Sequence, residues 1–319
     1  VGGKVVVKGV VKRYGKVLAL KGVSFEAGPG VHSFLGPNGS GKSTLLAIIA
    51  GALRPSEGYV EVCGIELWGK EGLRARRLIG YAPQDPPLKP LLTGYENLVY
   101  QGLLKGLSMG EAKRRAKELL NLVGLSEAMN RKASEYSGGM RRRYALAVAL
   151  INDPKVIVLD EPSTGLDPDA RRTLWDIMKE LAKEDKVVIL ATHYAEEAER
   201  LGDLAYIMYR GEIIVKGSPK ELKAKYGPPS KIEIKLKEEK ELGGVKGVLE
   251  GSGLEWRIIS KDTLVLYSQD PYSRIPEITS ALLKEGYYVK TVRVEEPTLE
   301  DVFFKVTGAE LEGEGGGGV

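Results

Sequence analysis

The sequence is poor in the residues that make cross-links, membrane spans or one-signed surfaces. It has a single cysteine, Cys63, in 319 residues. No disulfide can form within the chain, and a reducing cytosol is the expected setting. No apolar run approaches the ~18 residues of a membrane span; the longest lies near "YALAVALI", residues 144–151. No signal peptide is read at the N-terminus, although the first residue is Val1 and the true start is left open. Neither charge dominates: 47 basic and 43 acidic side chains leave +4, too balanced to make nucleic acid the main partner. Glutamine occurs three times, asparagine five and methionine five. That shortage of thermolabile types hints at a thermophilic source. What remains is an ordinary core-forming balance, 43% hydrophobic and 28% charged, long enough for two domains or one large domain with an appendage.

Strand-like and helix-like segments alternate in the first part. "KVVVKGV" and "LKGVSFEA" read as strands, and "VHSFLG" as a short apolar strand that enters a glycine loop. "KSTLLAIIAGAL" is an apolar helix, and Pro55 and Gly58 turn the chain into "YVEVCG". Residues 93–152 read as helices only, an insertion in an α/β domain. "KVIVLDEP" and "KVVILATH" are buried strands, "PDARRTLWDIMKELAKE" is a helix between them, and "DLAYIMYRGEIIVKG" is a hairpin around Arg210 and Gly211. Such βαβ alternation implies a largely parallel sheet with ligands at strand C-termini. "KYGPPSK", residues 225–231, is the expected linker. "KIEIKLK", "WRIIS", "TLVLYS" and "YYVKTVRVEE" then read as strands, with a helix interrupted at Pro276. The tail "EGEGGGGV" has nothing to bury and is expected to be disordered.

Two motifs carry chemistry by their composition and flanks. "GPNGSGKS", from Gly36 to Ser43, fits G-x4-G-K-[ST] between an apolar strand and a helix. Its glycines, with Asn38, Gly39, Ser40, Gly41 and Thr44, allow backbone N–H groups to wrap phosphates. Lys42 supplies a cation for the β/γ oxygens and the Ser43 hydroxyl suits Mg2+. The strand "VIVLDEP" ends in Asp160 and Glu161. Asp160 is placed to hold the metal's water shell and Glu161 to polarise an attacking water as general base. A second glycine-rich helix start, "EYSGGMRRRY" at 135–144, has the layout of an anion site of its own.

In order and spacing these motifs resemble the ATP-binding subunits of ABC transporters, over about residues 4–222. The resemblance implies an α/β P-loop NTPase cassette, its mostly parallel sheet accompanied by an antiparallel β part and an inserted α-helical subdomain at about 85–152. The cassette would span 1–226, a small C-terminal α+β domain 227–308, and the tail 309–319. ATP and Mg2+ are the implied ligands. "YSGGM" corresponds to that family's LSGGQ motif, so Ser137, Gly138 and Gly139 would serve the ATP of a second, facing subunit, with Met140 in place of the usual glutamine. Tyr14 matches the aromatic that stacks on adenine. Gln84 matches the glutamine that senses Mg2+ and the attacking water, Asp167 the loop that crosses between subunits, and His193 the histidine at the γ-phosphate.

"EPTLEDVFFKVTG", residues 296–308, resembles the end of subunits that power drug and antibiotic exporters with separate permeases. The implied protein is an exporter ATPase, cytoplasmic and peripheral on the inner face of the cell membrane. It would be paired with an integral membrane permease and a second ATP-binding subunit, identical or paralogous. The alternative, a soluble ABC ATPase acting on nucleic acid or ribosomes, fits less well: there is one cassette, and the roughly 90 residues between the two glycine motifs lack heptads.

Several side chains have plainer readings. His32 lies in an apolar strand and reads as a satisfied core residue. Arg141, Arg142 and Arg143 read as a solvated or phosphate-facing helix surface, not a nucleic-acid patch. Leu91, Leu92, Tyr95 and Leu98 fit either a groove for a membrane partner or core packing.

Overall fold

The computed structural model describes residues 2–237 and 243–311; the tail from 312 onward lies outside the described residues. The described residues separate into two compact units, one formed by 2–219 together with 309–311, the other within Lys220–Gly308.

The first unit contains two sheets. β1 (Val5–Tyr14), β2 (Val17–Ala27), β4 (Glu57–Val62) and β5 (Ile65–Glu66) form an antiparallel sheet in the order β2-β1-β4-β5. The second sheet runs β10-β9-β3-β8-β7-β6. Its members β3 (Gly30–Leu35), β6 (Ile79–Ala82), β7 (Val156–Asp160), β8 (Val187–Thr192) and β9 (Leu204–Tyr209) are parallel. Only β10 (Glu212–Gly217) is antiparallel, joined to β9 through Arg210 and Gly211.

β7 and β8 are buried at every position, as expected of central strands covered on both faces. Their side chains alternate between two cores. Val156, Val158, Val187 and Ile189 pack with α1 (Lys42–Ile49) and the antiparallel sheet. Ile157, Leu159, Val188 and Leu190 pack with α6 (Pro168–Lys183) and the helical region.

That region contains α3 (Gly94–Leu104), α4 (Met109–Leu122) and α5 (Gly138–Leu150). Capping boxes open two of them, Thr93 with Glu96 and Ser108 with Glu111, each satisfying two donors that a helix start leaves unpaired. Its only strand-like pairing among the described residues is an isolated bridge between Thr93 and Lys132. The two readings of the leucines divide by residue. Leu98 is fully buried in the core, Leu92 and Tyr95 are half-buried, and Leu91 is 82% exposed.

α7 (Ala195–Leu201) follows β8 and was not legible in the sequence, being only seven residues long. α8 (Pro219–Tyr226) leads into the second unit and ends before Pro228 and Pro229, which cannot extend a helix. There, β11 (Ser230–Leu236), β12 (Glu255–Ser260), β13 (Thr263–Ser268) and β14 (Val289–Glu295) form an antiparallel sheet in the order β12-β13-β11-β14. Ile232, Ile234 and Leu236 face its core with α9 (Gly243–Gly251) and α10 (Pro271–Lys284), while Lys231, Glu233 and Lys235 alternate outward. α10 runs through Pro276 instead of breaking there. A proline removes one backbone donor, and the buried Ile278 and Leu282 keep the following turns packed. α11 (Leu299–Thr307) buries Leu299, Val302 and Phe303.

His32 is a core residue. Its ring sits 3.3 Å from the Tyr206 hydroxyl and 2.9 Å from the Gly28 carbonyl. Burial lowers its pKa, against opposing effects of the Gly28 bond and the Asp203 charge. The unfolded chain therefore binds this proton at higher pH than the folded one. The resulting loss of stability begins as pH falls below the unfolded value near 6.5 and grows until the folded pKa is reached, with a slope of at most about 1.4 kcal/mol per pH unit. Urea midpoints at pH 7.5 and 5.5 are expected to fall further in the parent than in His32→Asn, a difference in which the carboxylates common to both cancel.

Candidate functional site

The phosphate-loop residues sit where β3 ends and α1 begins. Two glycines are required there for different reasons. Gly41 has φ +101, and a Cβ on it would come 2.7 Å from the Ala19 carbonyl oxygen of β2. Gly39 has φ +77, but a Cβ on it would meet nothing within 4 Å. The loop is thus clamped on one side and open on the other. Lys42 is buried and donates to the carbonyls of Gly36 (2.6 Å) and Pro37 (2.9 Å), so its ammonium lies within the curve of the loop. The Ser40 hydroxyl is buried with no hydrogen-bond partner. An anion accepting from the Ser40 hydroxyl at the start of α1 would satisfy a donor the fold leaves open. The residues present therefore fit a phosphate.

The parallel register of β3, β8 and β7 brings their C-terminal ends to the same edge. Ser43 Oγ donates to Asp160 Oδ1 at 3.0 Å, joining residues 117 apart in sequence. Burial raises the Asp160 pKa, the neighbouring Glu161 charge adds to this, and the Ser43 bond with the Lys42 and Arg142 charges opposes it. An alcohol beside a carboxylate is a hard-oxygen donor pair suited to Mg2+. Among the described residues no group of three or more His, Cys, Asp or Glu forms a self-sufficient metal cage. That donor set fits a metal whose remaining ligands are phosphate and water.

Glu161 adopts φ +50, rare for a residue with a Cβ and costing on the order of 1–3 kcal/mol. Its N–H donates to the Ala191 carbonyl at 3.0 Å. This backbone turns the carboxylate toward His193, whose Nδ1 lies 3.2 Å from Oε1. Thr164 Oγ1 donates to Oε2 at 3.4 Å. The His193 contact is the main cause of a Glu161 pKa held below the usual carboxylate range, opposed by burial. Glu161 is therefore ionised at neutral pH, as a general base must be.

The second glycine motif lies at the start of α5. Ser137 is its N-cap, its Oγ accepting from the Met140 N–H at 3.2 Å. A Cβ on Gly138 would meet nothing within 4 Å, whereas one on Gly139 would press on Leu166 at 3.3 Å. Met140 is half-buried and packs on the helical core, lining a cavity of about 540 Å3 with Leu125, Ala128 and Arg143. Its side chain serves packing, so Met140→Gln is expected to retain ATPase activity within about two-fold and to lose roughly 1 kcal/mol of stability. Steady-state hydrolysis and a melting curve check both; a collapse of the rate would place Met140 in the ligand contact.

The arginine run lies on the helix surface, Arg141 exposed and Arg142 and Arg143 half-buried, and each side chain also reaches a backbone carbonyl. Arg141 donates to the Tyr136 carbonyl (3.1 Å), Arg142 to that of Gln84, and Arg143 to that of Gly124 (2.8 Å). The three guanidiniums tie α5 to the segments that carry those carbonyls. Gln84 itself follows β6 with its side chain exposed; among the described residues that amide makes no hydrogen bond and does not reach Ser43 or Asp160. Tyr14 ends β1 with its ring half exposed and Lys12 Nζ 5.3 Å from the ring centroid. Asp167 caps α6, accepting from the Ala170 N–H at 2.9 Å, which lowers its pKa. Thr164 and Arg142 were missed as supports of Glu161 and Gln84. Thr164 sits in "STGLD", whose resemblance singled out Asp167 alone, and no local pattern marks a guanidinium that finds a distant carbonyl.

Comparison with known proteins follows the same division of the chain. Residues 20–164 match the family model described as ABC transporter, and residues 217–307 match that of the ATP-binding protein DrrA1-3-like, C-terminal domain. The chain is 37% identical over 307 residues to the daunorubicin resistance ATP-binding protein DrrA3 of Streptomyces coeruleorubidus, covering 95% of this chain and 96% of that protein. It is 37% identical over 304 residues to the Nod factor export ATP-binding protein I of Rhizobium etli, covering 95% and 93% respectively. Among solved structures it resembles the dimeric post-hydrolysis state of the ATP-binding cassette MJ0796 bound to ADP and Pi, with a TM-score of 0.62 and 34% identity over 67% of this chain and 98% of that one. The chain belongs to the ABC transporter family of ATP-binding proteins.

Proposed function

We propose that the chain is the ATP-hydrolysing subunit of an exporter, acting on a separately encoded membrane permease. The observation that carries the reading is the convergence of Ser43, Asp160, Glu161 and His193 at one strand edge beside a loop built for phosphate. Similarity to resistance and export subunits over nearly the whole chain supports the coupling to transport. No helix of the described residues is long and apolar enough to cross a membrane. The chain then works from the cytoplasmic face, held there by that permease.

Lys42, Ser40 and the N-terminal N–H groups of α1 hold the ATP phosphates, and Tyr14 offers its exposed ring to adenine. Ser43 and Asp160, with Gln84 brought in from its exposed loop, hold Mg2+. Bound there, Mg2+ neutralises charge that develops on the phosphate oxygens. Glu161 accepts a proton from water as the water oxygen attacks the γ-phosphorus; the bond from that phosphorus to the ADP oxygen breaks, leaving ADP and phosphate. His193 donates to the transferred phosphoryl group. A second copy, or a paralogue, supplies Ser137, Gly138 and Gly139 from its own α5, and Asp167 lies where the two copies cross. ATP holds the pair closed because it touches both; hydrolysis removes the bridge.

Membrane vesicles carrying the permease are expected to show ATP-dependent transport with this chain and none with Glu161→Gln. Hydrolysis that no membrane subunit stimulates, together with co-sedimentation with ribosomes or DNA, would point instead to a soluble ATPase.

A further inference from the structure

The helix that opens with the second glycine motif also reaches its own chain's catalytic edge. An α-helix turns about 100° per residue, so Arg141, Arg142 and Arg143 leave α5 in three different directions. Arg141 turns back to the Tyr136 carbonyl and Arg143 reaches that of Gly124, both within the helical region. Arg142 crosses instead to the end of β6, where its Nη1 donates to the main-chain carbonyl of Gln84, 58 residues away in sequence. Its charge also acts on the Asp160 carboxyl, as that of Lys42 does. One half-buried guanidinium therefore stands by both the loop that carries Gln84 and the acid that Ser43 meets.

The contact sits where the site is assembled. The register of β6 on β7 sets Ala82 beside Leu159, so the chain leaves β6 toward Gln84 on the edge where β7 delivers Asp160. The Gln84 side chain is exposed there, so its entry into the site depends on the path of its main chain. β6 also lies directly against α5, since a Cβ on Gly80 would run into the Ala149 carbonyl oxygen. Strand and helix thus meet backbone to backbone at Gly80, and Arg142 ties them a second time nearer the start of α5. Pro83, Pro86 and Pro87 flank Gln84. Proline has no N–H to donate, so this stretch has fewer main-chain bonds of its own and an outside donor matters more.

We propose that Arg142 is a positioning residue for its own chain's ATP site, holding the Gln84 main chain from a helix whose first residues, Ser137–Gly139, serve the ATP of the facing copy. The inference rests on the ATPase and two-copy reading of the same site. Arg142 acts through Gln84, whose side chain joins Ser43 and Asp160 in that reading. α5 then works in two directions. Its glycines reach the partner's nucleotide, while Arg142, less than one turn further on, steadies the glutamine of its own chain.

The test uses mixtures of two full chains in which one composite site survives. A Gly138→Val chain, blocked by an uncharged side chain at its own glycine motif, supplies the phosphate loop and Gln84. A Lys42→Ala chain supplies Ser137–Gly139, and pairs of either chain with itself are silent. Arg142→Ala added to the Gly138→Val chain is expected to lower the rate of the mixture by about five- to ten-fold, the effect of one lost hydrogen bond. Added to the Lys42→Ala chain, it is expected to leave the rate within about two-fold. In the unmixed parent, adding Arg142→Ala to Gln84→Ala should cost no further rate. Arg142→Lys, which keeps a cationic donor, should stay within about three-fold of the parent. Without nucleotide, Arg142→Ala should exchange the amide hydrogens of Asp85 and Leu88 about five-fold faster or more, with a melting temperature within about 4 °C of the parent. Loss from the Lys42→Ala placement, no loss from either placement, additive losses with Gln84→Ala, an Arg142→Lys rate as low as that of Arg142→Ala, or unchanged exchange at both amides would each overturn the proposal. A mixture without Arg142→Ala that recovers no activity would instead overturn the two-copy reading, and a parent that hydrolyses no ATP the ATPase reading itself.

Discussion

Glu161→Gln is expected to lower kcat for ATP hydrolysis by about 10²–10⁴-fold, the usual worth of a positioned general base. The replacement has the same shape and keeps an oxygen for His193 and Thr164, so the nucleotide site should stay assembled. What it loses is a carboxylate held ionised by the His193 contact, 3.2 Å away. With chemistry stopped and ATP still bound, the two copies have no means of release. The variant should therefore accumulate as an ATP-bound dimer, seen as a shift in size-exclusion elution that ADP does not produce. A variant that turns over ATP at the parental rate and stays monomeric in ATP would remove both the proposed base and the two-copy site.

Gly138→Asp is expected to separate stability from activity in opposite directions. Nothing in the single chain requires glycine there, since a Cβ would meet no atom within 4 Å. An acid in the first turn of α5 interacts favourably with the helix dipole, by about 0.3–1 kcal/mol, and removing a glycine lowers the entropy lost on folding. The nucleotide-free protein should therefore melt at the same temperature or slightly higher. ATPase activity should fall by about 10²-fold or more, because the carboxylate would stand where a facing γ-phosphate is to be bound.

Mixing provides the decisive arm. Lys42→Ala should also be inactive on its own. In a mixed dimer the Gly138→Asp chain still has its phosphate loop, and the Lys42→Ala chain still has its Ser137–Gly139 motif. One composite site is then whole. Random pairing makes half the dimers mixed, each with one of two sites intact, so activity should return to about a quarter of the parental rate. No recovery on mixing would mean that Gly138 acts within its own chain.

The positions that sequence reading reached are those whose chemistry is local. A glycine loop between an apolar strand and a helix declares itself over nine residues, and a strand of four buried residues ending in two acids does so over seven. Alternation in "KIEIKLK" was enough to orient β11, and the Arg210–Gly211 turn to place its hairpin. Where the reading fell short, the deciding partner was distant. Arg141, Arg142 and Arg143 lie on the surface as read, but the carbonyls of Tyr136, Gln84 and Gly124 that they reach have no mark in the local sequence. Leu91 and Leu98 share a segment and a hydropathy, yet one is exposed and the other buried, because a helix face is chosen by what packs on it. Pro276 predicts a break by its missing donor, but tertiary packing of the next turn outweighs one lost bond.

By itself, then, the sequence determined the fold class, the two glycine motifs and the identity of the acids, since each is written in contiguous residues with the periodicity of strand or helix. Only the tertiary structure decided that Ser43 meets Asp160, that Glu161 is turned by a positive φ onto His193, and that Trp175 meets the buried Glu197. Those relations depend on the register of parallel strands joined through long crossovers, and residues tens to more than a hundred positions apart carry no local mark of the partner they will find.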